Sequence, residues 1–148
     1  MKTIFAFTLC LIIGCKQSGS QKETEQEYYP TNTNELEDNI RTLELQNIDW
    51  SCQCADWATE ADIKLYQDTG KLSEHTVFIE PEFESLQLSD TLGYNGDIIK
   101  FVGRFYKDVG YPKKYPITEM QVDKAKVFRY SSYQVIRSNY RDFKLENK

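Results

Sequence analysis

The sequence predicts a mostly β chain: a small antiparallel barrel with one or two short helices. Strand-like runs outnumber helical ones, Gly93, Gly96, Gly103 and Gly110 punctuate the central pair of runs, and Asn95-Gly96 is a strong hairpin-type turn signal. With 148 residues, 40% of them apolar, the chain can build one domain around one core. Its composition excludes a collagen-like repeat, a long coiled coil and a multi-span membrane protein. The formal charge of −5 argues against nucleic acid as a partner, because that would need a net cationic surface.

Met1 to Cys15 reads MKTIFAFTLCLIIGC, with one cation (Lys2), an apolar run from Ile4 to Ile13, small Gly14 and then Cys15. That order is the layout of an export signal. As a helix the run would span roughly 15 Å, about half the hydrocarbon core of a bilayer, so it predicts a signal and not a spanning anchor. The chain turns abruptly polar after Cys15. Ile12-Ile13-Gly14-Cys15 resembles the lipobox of bacterial lipoproteins, with Ile12 where that family most often has Leu. The resemblance implies cleavage between Gly14 and Cys15, a diacylglycerol thioether on Cys15 and an acyl chain on its new amino group. Two or three chains give stable anchoring where one gives marginal binding. The implied location is the cell envelope, with membrane lipid as a partner through the acyl chains. Lys16 does not look like an acidic inner-membrane retention signal, so the outer membrane is the expected destination. Beyond these lipids no cofactor is expected.

Residues 15–39 are dominated by Gln, Glu, Ser, Thr and Asn and predict a flexible tether, since they offer too little apolar surface to offset ordering entropy. The barrel domain is placed at residues 40–140 and a basic tail at 141–148. Arg41–Trp50 opens with alternation (Thr42, Leu43, Glu44, Leu45), and a parity change near Asn47 predicts a bulge or bend. Asp56–Gln67 carries Trp57, Ala58, Ala61 and Leu65 at helical spacing, with Asp56 as its cap and Asp68-Thr69-Gly70 as its end. Thr76–Glu80 is a short β-branched and aromatic strand stopped by Pro81. Glu82–Leu88 reads as one helical turn or a loop.

Asp97–Tyr106 is a strand with Ile99, Phe101 and Phe105 on one face. A Pro-containing connection starts at Tyr111–Lys114, Thr118–Lys124 suits a short helix, and Val127–Arg137 is a long strand rich in Tyr, Val, Phe and Ile. A long bent first strand followed by shorter strands and an interposed helix is the order of an OB-type barrel. The blocks DIIKFVGRFY and KAKVFRYSSYQVI, together with WSCQCADW, are similar to segments of small lipoproteins of Bacteroidetes-type bacteria. That resemblance implies compartment and domain shape and carries no activity.

Residues 16–99 hold 5 basic and 18 acidic side chains, while residues 100–148 hold 12 and 5. The expected outcome is pairing of late strands beside early ones, with the charges compensating on the surface. The sharper reading is a basic face for lipid headgroups, an acidic glycan or an envelope protein.

Cys52-Gln53-Cys54 is the constellation with most chemical potential. Residues two apart in a strand have Cα atoms about 6.8 Å apart, the far limit for a disulfide, so a bridge needs a turn or bulge. Disulfide is the leading reading in an oxidising compartment. A metal site would use both thiolates with His75 or Asp56, and a redox role would need an acidified thiol, which Asp49 and Asp56 oppose. His75 itself lies among polar neighbours and reads as an exposed loop residue.

Glu80, Glu82 and Glu84 read as a solvated edge rather than a calcium or acid–base cluster. The Tyr-rich end (Tyr106, Tyr111, Tyr115, Tyr130, Tyr133 and Tyr140) is expected to be mainly core, with a sugar-binding face as the sharper alternative. No catalytic motif is present, so the expected function is a non-catalytic binding or structural module, against a metal-handling or thiol-redox protein using Cys52 and Cys54.

Overall fold

The structure, a computed structural model, describes residues 26–30, 35–89, 92–93 and 96–138. The signal segment with Gly14 and Cys15, and the basic tail, lie outside the described residues. Five strands form a closed barrel: β1 (Arg41–Asn47), β2 (Trp57–Ala58), β3 (Val77–Pro81), β4 (Ile98–Phe105) and β5 (Lys126–Arg137), in the order β1-β2-β3-β5-β4 with β4 returning to β1. This is a small OB-like barrel. Four ladders are antiparallel, but β3 and β5 run parallel. Strand directions cannot alternate all the way round a ring of five, so one neighbouring pair must be parallel.

The alternation in β4 aims Ile99, Phe101 and Phe105 inward, where they meet Leu45, Trp57, Phe128 and Tyr130. Trp57 packs edge-on to Phe101 with ring centroids 5.4 Å apart, and Tyr130 lies 4.9 Å from Phe101. β1 stops at Asn47, short of the expected Trp50, so the parity change marks the end of the strand and not a bulge within it. Irregularities in the β4–β5 register at Ile98/Ile99 and Val102/Gly103 bend these two long strands so that the sheet can close.

Three expectations from the sequence are corrected. The helix α1 runs over Glu60–Tyr66 with Thr59 as its cap, the Thr59 side chain accepting from the Asp62 N–H. Asp56 is therefore not the cap, and Trp57 and Ala58 are strand, because they bridge β1 to β3 and close the ring. Residues 118–124 are irregular rather than helical; Val122 is buried there and its carbonyl accepts from the Tyr111 hydroxyl at 2.7 Å. Finally, part of the stretch read as tether is docked. Tyr29 N–H donates to Tyr115 O at 2.8 Å, Lys107 N–H to Glu35 O at 2.9 Å and Glu37 N–H to Phe105 O at 2.8 Å. The Tyr29 ring stacks on Tyr111 with centroids 4.2 Å apart. A composition average hides this, because a few residues (Tyr29, Leu36) suffice to cover an aromatic patch that lies far along the chain.

That patch is a second core on the outer face of the sheet. Phe78, Tyr106, Tyr111, Val122 and Val127 are buried together beneath the β4–β5 connection and the N-terminal segment. Most of the Tyr-rich end is accounted for here and in the barrel: Tyr106, Tyr111 and Tyr130 are buried, Tyr115 and Tyr133 half-buried. The charge asymmetry resolves by pairing. Among the described residues, Lys100–Glu44, Lys107–Glu35, Lys114–Glu84, Arg129–Glu80 and Arg137–Glu60 each join a late cation to an early carboxylate. No described helix is long and apolar enough to cross a membrane.

Candidate functional site

β2 is only two residues long, and the connection that precedes it decides what lies beside β3. Residues 51–54 bend, and the Cα atoms of Cys52 and Cys54 come to 5.3 Å, well inside the range for a bridge; their sulfurs are bonded. The loop is held at several points. Ile48 N–H donates to Asp56 O at 2.7 Å, Trp50 Nε1 to Ala55 O at 3.0 Å, and the Tyr115 hydroxyl to the carbonyl of Gln53, between the two cysteines.

Between this loop, β3, the β3–β4 connection and the β4–β5 connection lies a groove of about 680 Å³. That size falls in the usual range for small-ligand sites. Trp57 and Phe78 line its base; Asn47 and Asp56 lie on one wall, Leu88 and Leu92 on another, and Lys113 to Tyr115 on a third. A 3-10 turn at Glu84–Leu86 shapes the β3–β4 side and is pinned where the Tyr130 hydroxyl donates to Leu86 O at 2.9 Å. Gly93 packs against the Trp57 ring with a φ of +95°, so a side chain there would be both strained and crowded. Across the mouth, Lys114 Nζ stands 3.7 Å from Glu84 Oε1 in an exposed pair of small energetic weight.

Glu80 departs most from expectation. It is 3% exposed, not part of a solvated edge. Its Oε1 accepts from the Tyr106 hydroxyl at 2.8 Å, its Oε2 from the Lys113 N–H at 2.9 Å, and Arg129 Nε lies 3.9 Å away. The carboxylate thus ties the groove's third wall to the outer face of β3. Its partners come from β5 and the β4–β5 connection, so nothing local in the glutamate run signals the burial. Glu82 and Glu84 do lie at the groove's rim. Asp56 is half-buried; burial pushes its carboxyl above the usual range, opposed by the Asn47 amide that donates to it at 2.8 Å.

Comparison with models of known protein families, with curated proteins and with solved structures finds no match to this chain. The residues themselves must therefore carry the reading. Cys52 and Cys54 stand on the loop bounding the groove and are joined to each other, so neither sulfur is a free thiolate for metal. His75 is elsewhere, in a 3-10 turn (Leu72–His75), its ring stacked on Tyr66 at 3.7 Å. Among the described residues no group of three or more His, Cys, Asp or Glu is placed to hold a metal.

Two predictions arise from this geometry. Burial pushes the Tyr106, Tyr115 and Tyr130 hydroxyls up to about 12. The folded state thus keeps protons that the unfolded chain releases near pH 10, so their stabilisation is complete below about pH 10 and is lost as pH rises towards 12. We expect a loss on the order of 2 kcal/mol for each of buried Tyr106 and Tyr130, read by chemical denaturation against pH with tyrosinate absorbance in parallel. The second concerns the Cys52–Cys54 bridge, which closes a very short loop and so contributes only roughly 1–2 kcal/mol by chain entropy. Reduction, or Cys52→Ser with Cys54→Ser, is expected to leave the barrel folded and to lower stability by no more than this, read by denaturant unfolding with and without reductant.

Proposed function

We propose that this chain is a lipid-anchored protein of the bacterial cell envelope whose barrel is a non-catalytic binding module, with the groove beside the disulfide loop as its binding site. The observation that carries the binding half is the position of the groove. Barrels of this type engage ligands on the face of strands 2 and 3 between the connections that follow strands 1 and 4; this groove lies along β3, with Asp56 and Trp57 at one end, the β4–β5 connection on one side and the β3–β4 connection on the other. Aromatic walls with a few convergent polar groups are what a small binding site needs. The anchoring half rests on the lipobox-like Ile12-Ile13-Gly14-Cys15 with its charged start and polar sequel. Lys16 favours the outer membrane.

The anchor is tested by producing the full chain in a diderm bacterium and measuring intact mass and membrane partition for native protein and Cys15→Ser. The expected result is an acylated native protein in the membrane fraction and an unmodified soluble variant. Equal masses and equal partition would overturn it. Thiol counting and bound-metal analysis on the mature domain separate this reading from a metal-handling or thiol-redox protein: two reactive thiols or a stoichiometric metal would favour the latter.

A further inference from the structure

We infer that the groove is built to take an extended polypeptide segment as an added strand along the open edge of β3; this rests on the groove being the binding site. Four consecutive residues of β3 (Phe78, Ile79, Glu80 and Pro81) line the groove. Side chains alternate between the two faces of a sheet, so four in a row can line one space only if it runs along the strand's edge. The ladder beside that edge is a single residue pair, Trp57 with Val77. Continued in the same register, Ala55 would lie across from Ile79 and Cys54 across from Glu80. The bend at 51–54, closed by the Cys52–Cys54 bridge, carries the chain out of that line. The groove is the place of the missing half of β2.

The backbone polarity fits. Glu82 N–H donates to Tyr130 O, so the even-numbered residues of β3 turn their amide groups to β5. Ile79 then turns its N–H and C=O to the groove, and no described residue takes the ladder position across from it. Pro81 has the same parity, which places its missing N–H on the open side, as is usual for an edge strand. A strand added here gains main-chain hydrogen bonds from Ile79 and sets alternate side chains against the barrel, where Val77 and Ile79 pack on the core. The remaining side chains meet charge. Glu80 is already engaged by the Tyr106 hydroxyl, the Lys113 N–H and Arg129, Asp56 accepts from the Asn47 amide, and Glu84 faces Lys114, so that Glu82 and the Lys113 side chain give the rim one charge of each sign and a charged side chain of the added strand meets a partner at either.

The test is calorimetry on the folded, disulfide-intact domain with a capped five-residue peptide of alternating Val and Lys. Two N-methylated forms, one methylated at the Val amides and one at the Lys amides, and a neutral oligosaccharide complete the set. A strand added antiparallel to β3 places Val across from Ile79 with its amide facing the edge. Val methylation is therefore expected to weaken binding at least tenfold and Lys methylation to leave it nearly unchanged, while hydrogen exchange at the Ile79 amide slows on binding. Equal effects of the two methylations, unchanged exchange at Ile79, or no peptide binding at millimolar concentration would overturn the inference. Oligosaccharide binding without peptide binding would overturn it too, yet leave the groove standing as a binding site; binding of neither removes both.

Discussion

Gly103→Ala is expected to cost roughly 3–5 kcal/mol and lower Tm by about 15–30 °C. Gly103 faces inward on β4 at the irregular step of the β4–β5 ladder, opposite Tyr130. A Cβ there would stand 2.1 Å from the Arg129 carbonyl oxygen and 2.7 Å from the Tyr130 Cα. Both are backbone atoms in the longest strand, so relief requires β5 to move, which disturbs its pairing with β3 as well as β4. Gly70→Ala is the comparison. Gly70 has a φ of +71° but nothing within 4 Å of the added carbon, so only the left-handed backbone is strained, at about 1–2 kcal/mol. Denaturant unfolding of both variants reads the two effects. A Gly103→Ala loss no larger than that of Gly70→Ala would mean that the two strands are not locked together at this point.

Glu80→Ala should destabilise by about 3–5 kcal/mol, because it leaves a partly buried guanidinium without its carboxylate and strands two hydrogen-bond donors. The donors are the Tyr106 hydroxyl and the Lys113 N–H, and the cation is Arg129. Tyr106→Phe removes one of these bonds and is expected to cost about 1.5–3 kcal/mol, since the acceptor is charged. Because both substitutions act on one network, the double variant should lose less than the two single losses together. Glu80 also fixes the wall that carries Lys113, so Glu80→Ala is expected to alter the groove as well as the stability. Strict additivity in the cycle would mean that the network is not a unit.

How far these features were legible depends on the range of the interactions that make them. β4 and β5 follow their own alternation and appear within a residue of the predicted bounds, and the parity change at Asn47 marks the end of β1. The disulfide is the leading reading from compartment, whereas the spacing of an extended chain puts it at the far limit; the bend that brings the pair to 5.3 Å is a property of the folded loop. The helix was misplaced at its start because Trp57 and Ala58 satisfy helical spacing and strand pairing equally well. Only the need to join β1 to β3 chooses between them. Glu80 was read as solvated because its neighbours Pro81, Glu82 and Phe83 are themselves partly or well exposed. The groove had no sequence signal at all, since it is bounded by a strand that stops short and by three connections.

By itself the sequence determined the class of fold and its long strands. Each of these is written in periodicity or composition over about ten residues. Tertiary structure decided that Tyr29 docks, that Glu80 is buried, and that β3 keeps an open edge. Their partners lie 26 residues away for Tyr106 on Glu80, 33 for Lys113 on Glu80 and 62 for Tyr115 on Gln53. Such contacts exist only once the ring of strands has closed and brought distant connections to one end of the barrel.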